Sequence, residues 1–98
     1  MKKVRPSTHP GIILKEEFAI PLGLTQAKMA KDLSIGIKTL SELYNKKRGI
    51  TPIMALKLSE YFGTTPQFWL NLQNAHDLHR AYEKSKEVLE NIDACQVA

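Results

Sequence analysis

The sequence has little of what several classes of protein require. It contains a single cysteine, Cys95, so no internal disulfide can form. It has no run of about 18 apolar residues, the length that a membrane-spanning helix needs. Its first residues, MKKVRPSTHPG, lack the apolar centre of a secretory signal. We therefore expect a cytoplasmic protein that does not associate with a membrane.

Patterns typical of β-strands and of catalytic sites are also missing. Apolar and polar residues alternate nowhere over a useful length, so the sequence predicts no sheet. No nucleophile with a base, paired catalytic carboxylates or phosphate-binding glycine loop is visible. His76 and His79 are three residues apart, but a metal site would need further ligands. We expect no enzymatic activity, no cofactor and no metal.

Proline and glycine divide the chain into five predicted helices, because proline favours the first turn of a helix and glycine follows its end. The chain of 98 residues has the size of one compact domain, and the expected class is all-α. The predicted helices run from Pro10 to before Pro21, from a Thr25 cap to Leu33, from Ile37 to Asn45, from Pro52 to Phe62, and from Pro66 as far as Asn91.

Apolar residues recur at helical spacing within these segments. Met29, Ala30 and Leu33 share one face of the second helix. In the third helix the predicted core face consists of Leu40, Leu43 and Tyr44, and in the fifth helix the residues predicted to point inward are Phe68, Trp69, Leu72 and Ala75.

Positive charge is concentrated in one quarter of the chain. Residues 25–48 contain six lysines and arginines against two acidic residues, while the rest of the chain contains eight of each sign. The whole net charge of +4 therefore lies in this segment. Such a distribution is typical of a surface that binds a polyanion, and a chance cluster on a solvated face is the alternative.

The third predicted helix carries a polar stripe opposite its apolar face, formed by Lys38, Ser41, Glu42 and Asn45. A helix of this kind fits the major groove of DNA, where lysine donates to guanine and a carboxylate accepts from the cytosine amine. Glu42 thus either reads a cytosine or points away. Ile37 and Thr39 flank the stripe, within reach of a thymine methyl or a phosphate. The basic run that follows, predicted to contact the DNA backbone, is Lys46, Lys47 and Arg48.

The presence of a preceding helix favours the interpretation of the polar stripe as a DNA-binding surface over its interpretation as an ordinary solvent-exposed helix face. Two short helices joined by a turn of three or four residues form a helix-turn-helix unit, and their crossing requires a small side chain. Ala30 supplies that small residue. Gln26, at the start of the first helix of the pair, is placed to hydrogen-bond a phosphate.

The segment LTQAKMAKDLSIGIKTLSELYNKKRGIT resembles the helix-turn-helix of phage repressors and the Xre class. The flanking segments HPGIILKEEFAIPLGLTQ and RGITPIMALKLSEYFGTTPQFWLNLQNAHDL are similar to the HigA (VapI-like) antitoxins of bacterial type II toxin–antitoxin modules. The resemblance covers about 70 of the 98 residues. It implies that the five predicted helices form a lambda-repressor-like fold. The long C-terminal helix is predicted separately, because no glycine or proline follows Pro66.

The resemblance also implies a function. It implies a homodimer that binds a palindromic operator of double-stranded DNA in its own promoter and holds a HigB-like, mRNA-cleaving toxin inactive. It adds Gly36 to the residues expected to contact DNA. Together with the positions reached from the polar stripe and the basic run, the predicted DNA-binding residues are Gln26, Gly36, Ile37, Lys38, Thr39, Ser41, Glu42, Asn45, Lys46, Lys47 and Arg48.

Three positions depart from the family pattern. Gly36 stands where a capping serine is common, Glu42 where a basic residue is common, and Lys46 where a glycine often ends the helix. Two alternatives therefore remain open. Beside the DNA-binding antitoxin, these are a module that binds a toxin or another protein without binding DNA, and an Xre-type regulator without a toxin partner.

The organisation of the C-terminal part is a separate prediction. We assign residues 1–82 to the helix-turn-helix domain and residues 83–98 to a C-terminal helical extension or tail. This extension is interpreted either as a solvated helix end or as a contact with a partner or a second copy. Five residues of the fifth helix have two interpretations, as part of the core or as a dimer contact. They are Phe68, Trp69, Leu72, His76 and His79.

Overall fold

A computed structural model describes residues 8–95 of the chain. Within that range there is no strand, and the all-α class is confirmed. Residues 1–7, which hold most of the stretch used above to argue against a secretory signal, lie outside the described range. The elements are α1 (Pro10–Ile13) with a π-helical continuation (Leu14–Ala19), α2 (Gln26–Leu33), α3 (Ile37–Tyr44), α4 (Pro52–Phe62) and α5 (Pro66–Glu90).

Threonine caps account for the start of three helices. The side chains of Thr25, Thr51 and Thr65 each accept a hydrogen bond from the backbone amide three residues later, at 3.1, 3.3 and 3.1 Å. Each bond satisfies a backbone donor that the first turn of a helix leaves unpaired. Proline at the first position of α4 and of α5 has no such donor to satisfy. Local sequence therefore determines where α2, α4 and α5 begin.

The core lies where α2, α3, α4 and the start of α5 meet. The apolar faces predicted for α2 and α3 are confirmed, since each of their residues is at most 8% exposed. Phe18 and Phe62 pack beside the Trp69 indole, with ring centroids at 5.0 and 6.3 Å. The largest fully buried side chains are Trp69, Leu14, Met29, Leu40, Leu43 and Leu58.

The sequence predicted a helix over residues 14–19 but not its π-helical geometry. Its hydrogen bonds span five residues, as in the 2.9 Å bond from the Ile20 amide to the Lys15 carbonyl. Leu14 and Ala19 are five residues apart, and both are buried. An α-helix would turn two such positions to different faces, so the wider π turn allows both to reach the core.

The prediction that Phe68 and Ala75 point inward is wrong. Phe68 is 38% exposed and Ala75 is exposed. The inward stripe of α5 runs through Trp69, Gln73 and His76, spaced at i, i+4 and i+7. At 100° per residue, Phe68 and Ala75 lie about 105° and 125° from the centre of that stripe, at or beyond the edge of the packed surface.

The C-terminal half of α5 projects beyond the bundle, and the described chain measures 56 × 26 × 22 Å. Leu78 and Val88 are 60% and 65% exposed. The helical geometry is interrupted at Ser85, whose φ and ψ are −121° and 15°. No helix ends at residues 82–83, so the domain boundary assigned there stays a prediction. No helix within residues 8–95 combines the length and apolar character needed to cross a membrane.

Candidate nucleic-acid interface

Helix α3 is held in place by its apolar side. Leu40 and Leu43 are completely buried, and Tyr44 is 8% exposed. The Tyr44 hydroxyl donates to the Met29 sulfur of α2 at 3.9 Å, and burial raises the pKa of Tyr44. These contacts join α3 to α2 and turn the opposite side of α3 to the surface.

The polar stripe of α3 lies on that opposite side. Lys38 and Asn45 are exposed, while Ser41 and Glu42 are partly exposed. The Asn45 side-chain amide donates to the Ser41 hydroxyl at 3.4 Å, one helical turn away. Seven of the predicted DNA-binding residues line one surface depression: Gln26, Ile37, Lys38, Ser41, Glu42, Asn45 and Lys47.

The other four predicted residues surround this depression. Gly36 is exposed immediately before α3, Thr39 is partly exposed on its flank, and Lys46 and Arg48 are exposed in the loop that follows. None of the eleven predicted residues is buried. The structure therefore presents all of them at the surface, with their contacts to DNA remaining a prediction.

The missing serine at Gly36 changes the start of α3. Gly36 has extended geometry, with φ −70° and ψ 145°, and offers no side-chain cap. The backbone N–H groups of the first turn are consequently not used by a capping side chain. Such groups, at the positive end of the helix dipole, suit a phosphate oxygen.

The negative charge of Glu42, at a position where the family commonly has a basic residue, is compensated by an ion pair. The sequence analysis did not predict this pair. The Arg48 guanidinium donates to Glu42 Oε1 at 2.9 Å. This hydrogen bond is the main cause that lowers the pKa of Glu42, and the nearby charges of Lys38 and Lys47 act in the same direction. Arg48 was expected to contact the DNA backbone, but its side chain folds back onto α3.

The end of α3 is a Schellman motif. The Lys47 amide donates to the Glu42 carbonyl at 2.8 Å, and the Lys46 amide donates to the Leu43 carbonyl at 3.2 Å. This motif requires a left-handed residue, and Lys46 has φ 62°. Glycine adopts this conformation without steric cost, whereas a lysine is strained there.

Replacing Lys46 by glycine is expected to raise the free energy of unfolding by about 1 kcal/mol, because it relieves this left-handed strain. For a domain of this size the melting temperature should rise by about 4–8 °C. Lys47→Gly is the matched control, because Lys47 is not among the described residues with positive φ. That variant should be no more stable than the wild type. Equal melting temperatures for wild type and Lys46→Gly would contradict the strain argument.

A glutamine of α5 anchors the loop after the basic run. Gln73 Oε1 accepts from the Ile50 amide at 2.6 Å, and Gln73 Nε2 donates to Asp77 at 2.9 Å. A Cβ atom on Gly49 would lie 2.8 Å from Gln73 Oε1, so the loop approaches this side chain closely. The sequence analysis missed Gln73, whose only signal was a polar residue on the inward stripe of α5.

His9 is a second positioning residue that the sequence analysis missed. It is 6% exposed, and its Nδ1 accepts from the Gly11 amide at 2.9 Å, which caps α1. Its ring lies 4.8 Å from that of His76 on α5. Burial is the main cause that lowers the pKa of His9, followed by the charges of His76 and Lys46. His9 thus joins α1 to α5 beside the basic run.

The residues considered for a dimer contact divide into two groups. Trp69 has no exposed surface and belongs to the core, so it is excluded as a dimer-contact residue. Phe68, Leu72, His76 and His79 keep some exposure, and their part in a dimer stays a prediction. Within residues 8–95 no group of three histidine, cysteine or acidic side chains is arranged to hold a metal ion.

Comparison with known proteins gives consistent matches over most of the chain. Residues 14–69 match the helix-turn-helix family model HTH_3. Virulence-associated protein I of Dichelobacter nodosus is 40% identical over 87 residues, which is 89% of this chain and 81% of that protein.

Two solved structures extend the likeness to the fold. The structure of the Pseudomonas aeruginosa antitoxin HigA with the higBA promoter is 35% identical, has a TM-score of 0.87, and covers 94% of this chain and 100% of that one. The structure of the antitoxin GraA in complex with its operator is also 35% identical, with a TM-score of 0.89 and 99% of each chain covered. The expected five-helix helix-turn-helix fold is confirmed.

Proposed function

Because the chain belongs to the helix-turn-helix family of the HigA antitoxins and virulence-associated protein I, we propose that it is a sequence-specific DNA-binding antitoxin that represses its own promoter. The observation that carries this proposal is the exposure of the α3 polar stripe and the following cations on one surface. Two related proteins solved with operator or promoter DNA support it.

In the proposed complex α3 lies in the major groove. Its apolar side stays in the core, and Lys38 points toward the base edges, where an ammonium donates to guanine O6 or N7. The phosphates are contacted by the uncapped amides of α3 and by the side chains of Gln26, Lys46 and Lys47. We assign the base contacts to sequence recognition and the phosphate contacts to general affinity. A protein that acts on its own promoter works in the cytoplasm.

We further propose that the protein acts as a homodimer on a palindromic operator and neutralises a HigB-like toxin. The helix-turn-helix geometry supports the dimer, since two-fold related recognition helices match two half-sites about one turn of DNA apart. The similar Pseudomonas aeruginosa protein HigA is an antitoxin, which supports a toxin partner. Co-expression with the product of the adjacent gene tests this part. Failure to form a complex or to relieve toxicity would leave an Xre-type regulator without a toxin.

The two kinds of DNA contact predict different mutant behaviour. Lys38→Ala is expected to weaken binding to the operator by about tenfold and to leave binding to unrelated DNA nearly unchanged, because it removes a base contact. Lys47→Ala should weaken binding to all DNA by similar factors and lower the salt slope by about 0.9, because it removes a phosphate contact. The measurement is fluorescence anisotropy with DNA from upstream of the coding sequence and with a scrambled duplex.

A matched control for these variants is Lys84→Ala, which makes the same charge change on the projecting half of α5. It should bind both duplexes like the wild type. Full operator affinity in both Lys38→Ala and Lys47→Ala would contradict the proposed interface. A wild-type protein with no salt-dependent DNA binding would instead favour the alternative of a protein-interaction module.

A further inference from the structure

The ion pair between Glu42 of α3 and Arg48 of the basic run places a carboxylate on a surface whose other charged residues are cations. Glu42 stands on the outward side of α3, one turn after Lys38, and shares its surface depression with Lys47. An acidic side chain brought near phosphates is repelled unless a cation compensates its charge. Arg48 provides this compensation at 2.9 Å before any DNA is bound.

The pair leaves specific hydrogen-bonding atoms unused. Arg48 Nη2 donates to Glu42 Oε1, whereas Glu42 Oε2 has no hydrogen-bond partner in the described part of the chain. Arg48 Nε and Nη1 are likewise without a partner among residues 8–95. An ionised carboxylate only accepts hydrogen bonds, whereas a guanidinium only donates them. Oε2 is therefore available to a donor from outside the chain, and the remaining guanidinium groups suit an acceptor such as a phosphate oxygen.

The major groove offers only two kinds of donor to such an oxygen, the exocyclic amines of cytosine and adenine. In adenine the amine lies beside the N7 acceptor, which repels a second acceptor. Cytosine has no acceptor at its major-groove edge, so it accommodates a carboxylate better. We propose, as a refinement that rests on the proposed DNA-binding function, that Glu42 and Arg48 form one specificity-determining unit in which Arg48 neutralises Glu42 and Glu42 Oε2 accepts from the amine of a cytosine.

The unit makes a distinct prediction for base preference. Sites selected from a random-sequence duplex library by the wild type should contain a cytosine at one position in each half-site. Glu42→Gln should lose this preference by about tenfold and shift it toward adenine, because a glutamine amide both donates and accepts and so matches adenine N7 and N6. Glu87→Gln, the same charge change near the end of α5, is the control and should select the same sites as the wild type.

The compensation predicts that the loss caused by removing Arg48 depends on the carboxylate of Glu42. On a mixed-sequence duplex, Arg48→Gln should lower the affinity by about tenfold, because it leaves the carboxylate of Glu42 uncompensated near phosphates. The double variant Glu42→Gln/Arg48→Gln should recover most of that loss. Affinities are measured by anisotropy at several salt concentrations.

Each outcome decides the proposal. Identical selected sites for wild type and Glu42→Gln, or a double variant that binds no better than Arg48→Gln, would overturn the unit while leaving the DNA-binding function intact. A wild-type protein that enriches no sequence from the library would overturn both this inference and the proposed function. A lost cytosine preference together with the rescue supports the unit.

Discussion

Replacement of Gly11 by alanine is expected to lower the free energy of unfolding by about 3 kcal/mol, near the upper end of the usual cost of overpacking. A Cβ atom at this position would lie 1.9 Å from the Leu43 carbonyl oxygen and 2.8 Å from its carbonyl carbon. Both atoms belong to the backbone of α3, so the clash cannot be relieved by rotating a side chain. Helix α1 would have to move away from α3.

Such a movement would also disturb the candidate interface. The Leu43 carbonyl accepts from the Lys46 amide in the turn that ends α3. The Gly11 amide donates to His9 Nδ1 at 2.9 Å, and this cap would shift with α1. The variant should therefore lose both stability and DNA affinity, even though Gly11 is not one of the residues expected to contact DNA.

Thermal and urea denaturation of Gly11→Ala measure the effect, with Gly36→Ala as control. A Cβ at Gly36 would meet Thr39 Oγ1 at 3.8 Å, an ordinary contact, and the φ of −70° suits alanine. The control should lose less than about 1 kcal/mol, the scale of a weakened helix cap. A Gly11→Ala protein with the stability of the control would contradict the close approach of α1 and α3.

Trp69→Ala is expected to lower the free energy of unfolding by about 3–5 kcal/mol, the usual cost of removing a buried aromatic side chain. Trp69 has no exposed surface, and its indole N–H donates to the Thr64 hydroxyl at 2.7 Å. The indole lies between the π-helical segment, through Phe18, and α4, through Phe62. Its loss leaves a cavity at the point where α5 attaches to the bundle.

Two further variants separate the ring from its hydrogen bond. Trp69→Phe keeps most of the apolar volume but removes the N–H donor, and it should cost less than Trp69→Ala. Phe68→Ala truncates the neighbouring ring, which is 38% exposed, and should cost less than either Trp69 variant. Urea denaturation of the three variants provides the ranking. A larger loss for Phe68→Ala than for Trp69→Ala would contradict the observed orientation of α5.

The predicted helix boundaries agree with the structure because their signals are local. Thr51 and Pro52 mark the start of α4, and Thr65 and Pro66 that of α5, through contacts within a single turn. The helical continuation of α1 was predicted but its π geometry was not, because a π turn depends on which side chains reach the core. Phe68 and Ala75 were misplaced for a related reason, since the apolar pattern alone did not define the centre of the inward stripe.

For the candidate interface, as for the helices, the sequence predicted the location but not the side-chain contacts. The polar stripe of α3 and the basic run are visible in the sequence, and all eleven residues lie at the surface. Their individual roles depend on side-chain partners, which periodicity does not define. The folding back of Arg48 onto Glu42 changes the expected role of both residues.

The sequence by itself determined the all-α class, the starts of α2, α4 and α5, and the segment that carries the net charge, because caps, periodicity and composition act over a few neighbouring residues. Only the tertiary structure decided that Gly11 has no room for a side chain, that Gln73 anchors the loop at Ile50, and that Phe68 lies at the edge of the core. These features depend on distances between segments far apart in the chain. Such distances are set by how the helices pack together.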